Sequence, residues 1–189
     1  MDDGSWIADA ASSYDRVAAR YAELVQGGLA DLPLESALVE HFARRVVASG
    51  DGPVLDAGCG PGQLTRHLAS LGLSVSGLDI SLGMLRIARR ENPGLGFVAA
   101  TLTQLPVADE TCAGLLCWYV LHHVPDDLAH VKTEGYGGLG MRVHFVRRSA
   151  DSHARLLRDA GLVVDATIAL GPEDPAIAAI WLAHKPART

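Results

Sequence analysis

Val54-Leu55-Asp56-Ala57-Gly58-Cys59-Gly60-Pro61-Gly62 is the stretch on which the reading of this chain turns. Val54 to Ala57 is a short strand. The three glycines that follow end it and present backbone N–H groups, with no Cβ in the way, to whatever lies beyond. Gln63 to Leu71 then reads as a helix whose N-terminus faces the same place. Ser74 to Leu78 is a second strand, and Asp79 stands at its end, where a carboxylate can accept from both hydroxyls of a ribose. The stretch therefore predicts a nucleoside cofactor bound across the C-terminal edge of a parallel sheet.

Outward from this unit the alternation continues. Leu82 to Arg90 is a helix, Leu95 to Ala99 a third strand, and Ala113 to Val120 an unbroken apolar run of the kind a central strand shows when both its faces are covered. Strand–helix–strand at these spacings implies parallel pairing and a doubly wound α/β fold. Upstream, Ala8 to Leu32 is helical, with Tyr14, Val17, Tyr21 and Leu24 on one face, and Gly27-Gly28 interrupts it. Leu34 to Ala48 is a second amphipathic helix. Residues 8–48 are thus two N-terminal helices able to form a lid. Downstream, Ser149 to Ala160 is a helix closed by Gly161, and Leu162 to Leu170 with Ile177 to His184 are strands joined as an antiparallel hairpin.

One region resists this pattern. A helix starts at Asp126 and runs to Val131, but Lys132-Thr133-Glu134-Gly135-Tyr136-Gly137-Gly138-Leu139-Gly140 stops it. It is too short to be a crossover, which takes about a dozen residues. The expectation is that a segment is absent after about Val131.

The bulk numbers narrow the function. The 189 residues predict one domain over 1–189, and 49% hydrophobic residues describe a globular chain. A net charge of -6 argues against a nucleic-acid partner, although Arg142 with Arg147 and Arg148 offers one example of a local basic patch. Three cysteines fit neither a disulfide scaffold nor a zinc site, and no metal is expected. The first fifteen residues lack a basic and an apolar region, so no signal peptide, no membrane span and a cytoplasmic location are expected.

The spacing of the glycines separates two cofactors. Dinucleotide sites carry GxGxxG around a pyrophosphate, whereas this chain has GxGxG preceded by Asp56. A carboxylate aimed at a pyrophosphate is repulsive, and near an amino or sulfonium group it is favourable. The chain resembles the class I S-adenosylmethionine-dependent methyltransferases, in particular small bacterial members of the methyltransferase-domain group. The resemblance spans about Tyr14 to Ala187. It rests on VLDAGCGPG, on GLDIS followed by LGMLRIARR, and on LPVADETCAGLLCWYVLHHVPDD.

The resemblance implies a mostly parallel seven-stranded sheet with a C-terminal antiparallel hairpin, one strand of which this sequence lacks after about Val131. It implies S-adenosylmethionine as cofactor, with Gly58, Cys59, Gly60 and Gly62 around its methionine part and ribose. Asp56 either holds that loop or contacts the amino group through water. Asp79 binds the ribose hydroxyls, Ile80 and Leu102 flank the adenine, and Met84 lies close to the nucleoside. Thr101 stands where many members have an aspartate that accepts from the adenine amino group, a shorter and uncharged substitute.

Trp118, Tyr119, His122 and His123 fall where an acceptor approaches. Either histidine can serve as general base toward an oxygen, or it can cap a helix or pack beneath the cofactor. Tyr14 and Tyr21 either close over the cofactor or belong to the packing. Lys132, Glu134 and Tyr136 are candidates for a mobile flap. The expected partner is a small-molecule acceptor methylated on oxygen or nitrogen, by a monomer or a homodimer. Two other readings stay open: an NAD-dependent oxidoreductase, and a noncatalytic protein that keeps the pocket.

Overall fold

The computed structural model describes residues 5–50, 52–124, 130–146, 148–170 and 179–186, the side chain of His130 excepted. The chain divides into two compact units, Met1–Pro125 with His130–Phe145, and Asp126–Ala129 with Val146–Thr189.

In the first unit, helices α1 (Ser5–Leu24) and α2 (Pro33–Ala48) precede strand β1 (Val54–Ala57). Then come α3 (Gln63–Ser70), β2 (Val75–Asp79), α4 (Leu82–Glu91), β3 (Gly96–Ala99) and β4 (Gly114–Cys117). A 3-10 turn at Leu121–His123 follows. Strands β5 (His130–Glu134) and β6 (Gly140–Phe145) close the unit, separated by a second such turn, Tyr136–Gly138. The second unit holds α5 (Ala150–Asp159), β7 (Val163–Ala169) and β8 (Ala179–His184).

Strands β3-β2-β1-β4 form one sheet, every pair parallel, with Val54 beside Val75 and Gly114, and Ser76 beside Gly96. All four residues of β1 are buried, as a central parallel strand requires. Val54, Val75 and Leu116 face α2 and α3 through Val39, Ala43, Val46 and Leu68. Phe97, on the same face, packs against Leu85 and Ala88 of α4. The opposite face carries Leu55, Ala57, Leu78 and Cys117 and meets Ala100, Leu102, Leu105 and Cys112. There Val98 and Leu115 stay 46% and 47% exposed.

Helix boundaries follow local chemistry. Pro33, which has no N–H to leave unpaired, occupies the first turn of α2. Ser81 caps α4 by accepting from the Met84 amide at 3.0 Å, and Ser149 caps α5 by accepting from Ser152 at 3.2 Å. Gly161, at φ 83°, ends α5.

The structure differs from the expected seven-stranded sheet. Among the described residues the parallel sheet has four strands with β4 at its edge, and β5–β6 and β7–β8 are separate antiparallel pairs. The helix expected from Asp126 to Val131 is not what its last two residues form. Its first four lie outside the described residues, but His130 and Val131 begin β5, and the backbone runs on through Lys132 without a gap. The reason is the partner strand: Met141 and Val143 of β6 are buried while their neighbours Gly140 and Arg142 are exposed, an alternation that gives β5 a ladder to join. The hairpin β7–β8 is as expected in kind, with Val163 opposite His184 and Ala169 opposite Ala179.

Candidate functional site

At the C-terminal ends of β1, β2 and β4 a cavity opens, all of it within the first unit. From the strands and the turns after them come Gly58, Gly60, Leu78, Asp79, Ile80 and Met84; from the loop after β3, Ala100, Thr101 and Leu102. After β4 come Trp118, Tyr119, Val120, His123 and Val124, and α1 contributes Trp6, Ala10, Tyr14 and Tyr21.

The floor is built by backbone. Gly58 sits at φ 79°, in the left-handed region, and a Cβ there would stand 2.5 Å from Val120 Cγ2. Asp79 Oδ2 accepts from the Gly60 amide at 2.9 Å and Oδ1 from the Ser81 amide at 2.8 Å, so one carboxylate ties the glycine loop to the start of α4. Burial raises its pKa, and these amides oppose the rise. Asp56 is turned away from the cavity. It is 1% exposed and accepts from the Thr65 hydroxyl of α3 at 2.6 Å. Burial pushes its carboxyl up to about 6 against that hydrogen bond. Asp56 thus ties β1 to α3, the helix that follows the glycine loop.

The roof is built by side chains. Asp15 of α1 accepts from the Ser81 hydroxyl at 2.7 Å and from the Gly83 amide at 2.6 Å, so α1 caps α4 across the fold. A Cβ at Gly83 would stand 2.9 Å from the Asp15 Cα, so this approach needs glycine. Ser13 of α1 donates to the Arg142 carbonyl at 3.0 Å and accepts from the Arg142 amide at 2.7 Å. Arg142 itself reaches Asp9 at 2.7 Å. The Tyr21 and Tyr136 rings meet edge to face at 4.8 Å. Of the two N-terminal helices α1 contributes to the lining of the cavity, while Val39, Ala43 and Val46 of α2 pack in the core with Val54 of β1.

His123 is held at both ring nitrogens. Its Nδ1 lies 3.2 Å from the carbonyl of His144, which can only accept, so the proton sits on Nδ1. Nε2 is then the free base, and the Tyr14 hydroxyl donates to it at 2.6 Å. Burial lowers the His123 pKa, as does the nearby Lys132 ammonium, although the His144 carbonyl opposes the drop. The ring is therefore neutral at pH 7. Burial raises the Tyr14 phenol, with Tyr136 adding to the effect. His122 does not line the cavity. Its ring packs at a tilt against Phe145, centroids 4.3 Å apart, and against His123 at 4.0 Å, and burial lowers its pKa to about 3.

The expected residues thus separate. Tyr14, Tyr21, Gly58, Gly60, Asp79, Ile80, Met84, Thr101, Leu102, Trp118 and His123 line one cavity. Asp56, Cys59, Gly62 and His122 stand behind its lining. Cys59 packs against Leu85, Ala88 and Phe97, and burial pushes its thiol up, so it is not a nucleophile. The hydroxyl of Thr101 lies 3.0 Å from that of Thr103. Trp6 and Ala10 were not foreseen, although they precede Tyr14 at intervals of four, the spacing of one helical face. Tyr119 is a half-exposed tyrosine at φ 51°, a strained backbone costing about 1 kcal/mol, held edge to face against Trp118 at 5.7 Å. Among the described residues no group of three or more His, Cys, Asp or Glu is placed to hold a metal, and no helix is long and apolar enough to cross a membrane. Arg147 lies outside the described residues.

Comparison with known proteins agrees with this geometry. Residues 54–139 match the family model of the methyltransferase domain. The malonyl-[acyl-carrier protein] O-methyltransferase of Pseudescherichia vulneris is 42% identical over 100 residues, which is 53% of this chain and 34% of that protein. The curated relatives it matches are longer, and the aligned part spans about a third to a half of their length. The magnesium protoporphyrin IX methyltransferase of Synechocystis, solved with bound S-adenosylmethionine, superposes with a TM-score of 0.67 at 21% identity, covering 98% of each chain. The DhpI complex with S-adenosylhomocysteine gives 0.67 at 23% identity, over 87% of this chain and 93% of that one. At such identities the likeness is one of fold. The glycine loop and the aspartate after β2 fall within the segment 54–139 that matches the methyltransferase-domain model, so this part of the chain is similar to methyltransferase domains.

Proposed function

We propose that this chain binds S-adenosylmethionine in the cavity and transfers its methyl group to an oxygen or nitrogen of a small-molecule acceptor. The observation that carries the reading is Asp79, whose carboxylate spans the glycine loop and the start of α4 at the cavity floor. The residues fit the cofactor. Gly58 and Gly60 leave room for its methionine and ribose parts, and Asp79 has the lone pairs to accept from ribose hydroxyls. Ile80, Met84, Ala100 and Leu102 offer an apolar slot for the adenine. Among the described residues no Lys or Arg lines the cavity to meet a pyrophosphate, which disfavours the NAD reading. When bound, the cofactor supplies an electrophilic methyl on a sulfonium, and the chain's part is to place the acceptor, exclude water and take up a proton.

His123 is the proton acceptor in this reading. Its basic Nε2 is covered by the Tyr14 hydroxyl, so a proton leaving an acceptor hydroxyl passes to the Tyr14 oxygen while the Tyr14 proton moves to His123 Nε2. The Nδ1–H contact with the His144 carbonyl keeps the ring in the tautomer that this transfer needs. His122, turned onto Phe145, supports the His123 ring by packing against it at a tilt.

Proteins of related sequence and fold act on small or carrier-borne acceptors, demethylmenaquinone and 1,6-didemethyltoxoflavin among those their names give. The same reading includes one methyltransferase domain over 1–189, a cytoplasmic location and a monomer or homodimer. Titration calorimetry tests the core of it: S-adenosylhomocysteine binds saturably, NADH does not, and Asp79→Ala abolishes the binding. Preferential binding of NADH would overturn the assignment.

A further inference from the structure

The cavity wall left over after the cofactor's residues are assigned has a distinct chemistry. Among the residues that remain are Trp6, Ala10, Tyr14, Tyr119, His123 and Val124, three of them large aromatic rings and none a Lys, Arg, Asp or Glu. Among the described residues no Lys or Arg lines the cavity, and the cations of α1 and the hairpin have partners of their own. Arg142 pairs with Asp9 and Arg20 with Glu23, both at 2.7 Å. The Lys132 ammonium lies over the rings of Tyr136 and Phe145, 5.3 and 6.0 Å from their centroids. The one carboxyl among the described residues of the wall, Asp79, would repel an anion.

We infer that the acceptor is an uncharged molecule with a flat aromatic ring, which stacks against Tyr119 and Trp6 and directs a hydroxyl toward the Tyr14–His123 pair. The inference rests on the proposed methyl transfer and narrows its substrate. An anionic acceptor, such as a carboxylate or phosphonate, would lose its hydration against neutral walls with no cation to replace the water. A flat ring loses nothing of the kind, and the Trp6 and Tyr119 rings among the lining offer faces and edges to receive it. The strained backbone at Tyr119 fits this role. Left-handed φ at a tyrosine persists where the surrounding structure imposes it, and here it holds a half-exposed ring beside Trp118 at the rim of the cavity rather than in the core.

Two probes with the same ring and different charge separate the possibilities: 1-naphthol, neutral at pH 7, and 1-naphthoate. Both are titrated calorimetrically into protein saturated with S-adenosylhomocysteine. The expected result is at least tenfold tighter binding of 1-naphthol. Tyr119→Ala should weaken it at least fivefold with S-adenosylhomocysteine affinity kept within twofold, and Tyr119→Arg should favour 1-naphthoate instead. Because the Tyr119 side chain is half exposed, neither change threatens the core. Equal or tighter binding of 1-naphthoate by the parent protein overturns the inference. So does binding of S-adenosylhomocysteine with neither probe, and that outcome leaves the methyltransferase reading standing. Failure to bind S-adenosylhomocysteine at all overturns both.

Discussion

Floor and roof of the cavity are held by different forces. The floor is the end of a parallel ladder: β1 pairs with β2 and β4 residue for residue, and the loop beyond it is fixed by glycine geometry and two amides on Asp79. The roof is α1 and the β5–β6 hairpin, joined by Ser13 to Arg142, Asp9 to Arg142, Tyr21 to Tyr136 and Tyr14 to His123. A ladder specifies position through many backbone bonds at once. Side-chain contacts between distant segments specify it one by one, and each can be lost alone. In the proposed function the floor holds the cofactor, and the roof handles acceptor and proton.

The largest test of that contrast is Gly58→Ala. A Cβ 2.5 Å from Val120 at φ 79° combines overpacking with strain, and the expected loss is about 3 kcal/mol together with S-adenosylhomocysteine binding, measured by urea denaturation and calorimetry. A variant as stable as its parent would show the floor to be no more rigid than the roof.

Next comes a pair of opposite pH slopes. The folded pKa of Asp56, in the floor, is raised from 3.8 to about 6, so the native state holds its proton more tightly than the unfolded one. This stabilising effect is full below about 4 and is lost as pH rises through 6, a change on the order of 2–3 kcal/mol. His122, beside the roof hairpin, is lowered from 6.5 to about 3. Its contribution is present above 6.5 and is lost as pH falls toward 3. Asp56→Asn should therefore raise the melting temperature at pH 7 more than at pH 4, and His122→Phe should do the reverse by protecting against acid. Parallel pH profiles for all three proteins would refute both assignments.

Asp15→Ala removes the one side chain that ties α1 to Ser81 and Gly83, at an expected cost of about 1–2 kcal/mol. If it is a roof residue, hydrogen exchange in α1 rises while β1 and β2 stay protected; uniform loss of protection would place Asp15 in the common core instead. Smallest is Arg142→Ala. Its ion pair with Asp9 is exposed, so stability should fall by no more than about 0.5 kcal/mol in thermal denaturation, and a larger drop would mean that the hairpin depends on it.

From the residues alone came the strand–glycine–helix unit, the ribose-type aspartate after β2, the four parallel strands and the C-terminal hairpin. These follow from periodicity and breaker residues that act over a few positions, where sequence and structure are nearly the same information. Tertiary packing decided the rest. Asp56 faces Thr65 rather than the cavity because its strand neighbours bury it. Of two adjacent histidines it is His123 whose nitrogens meet Tyr14 and the His144 carbonyl, 109 and 21 residues away in sequence, and the proposal of His123 as proton acceptor rests on those contacts. The β5–β6 pair, read as a broken helix and a glycine-rich flap, had its signal in the alternation of Met141, Arg142, Val143 and His144, but a strand that short is decided by the partner it finds. Local rules set which segments are strands and helices, whereas contacts between segments far apart in the chain set which side chains meet over the cavity.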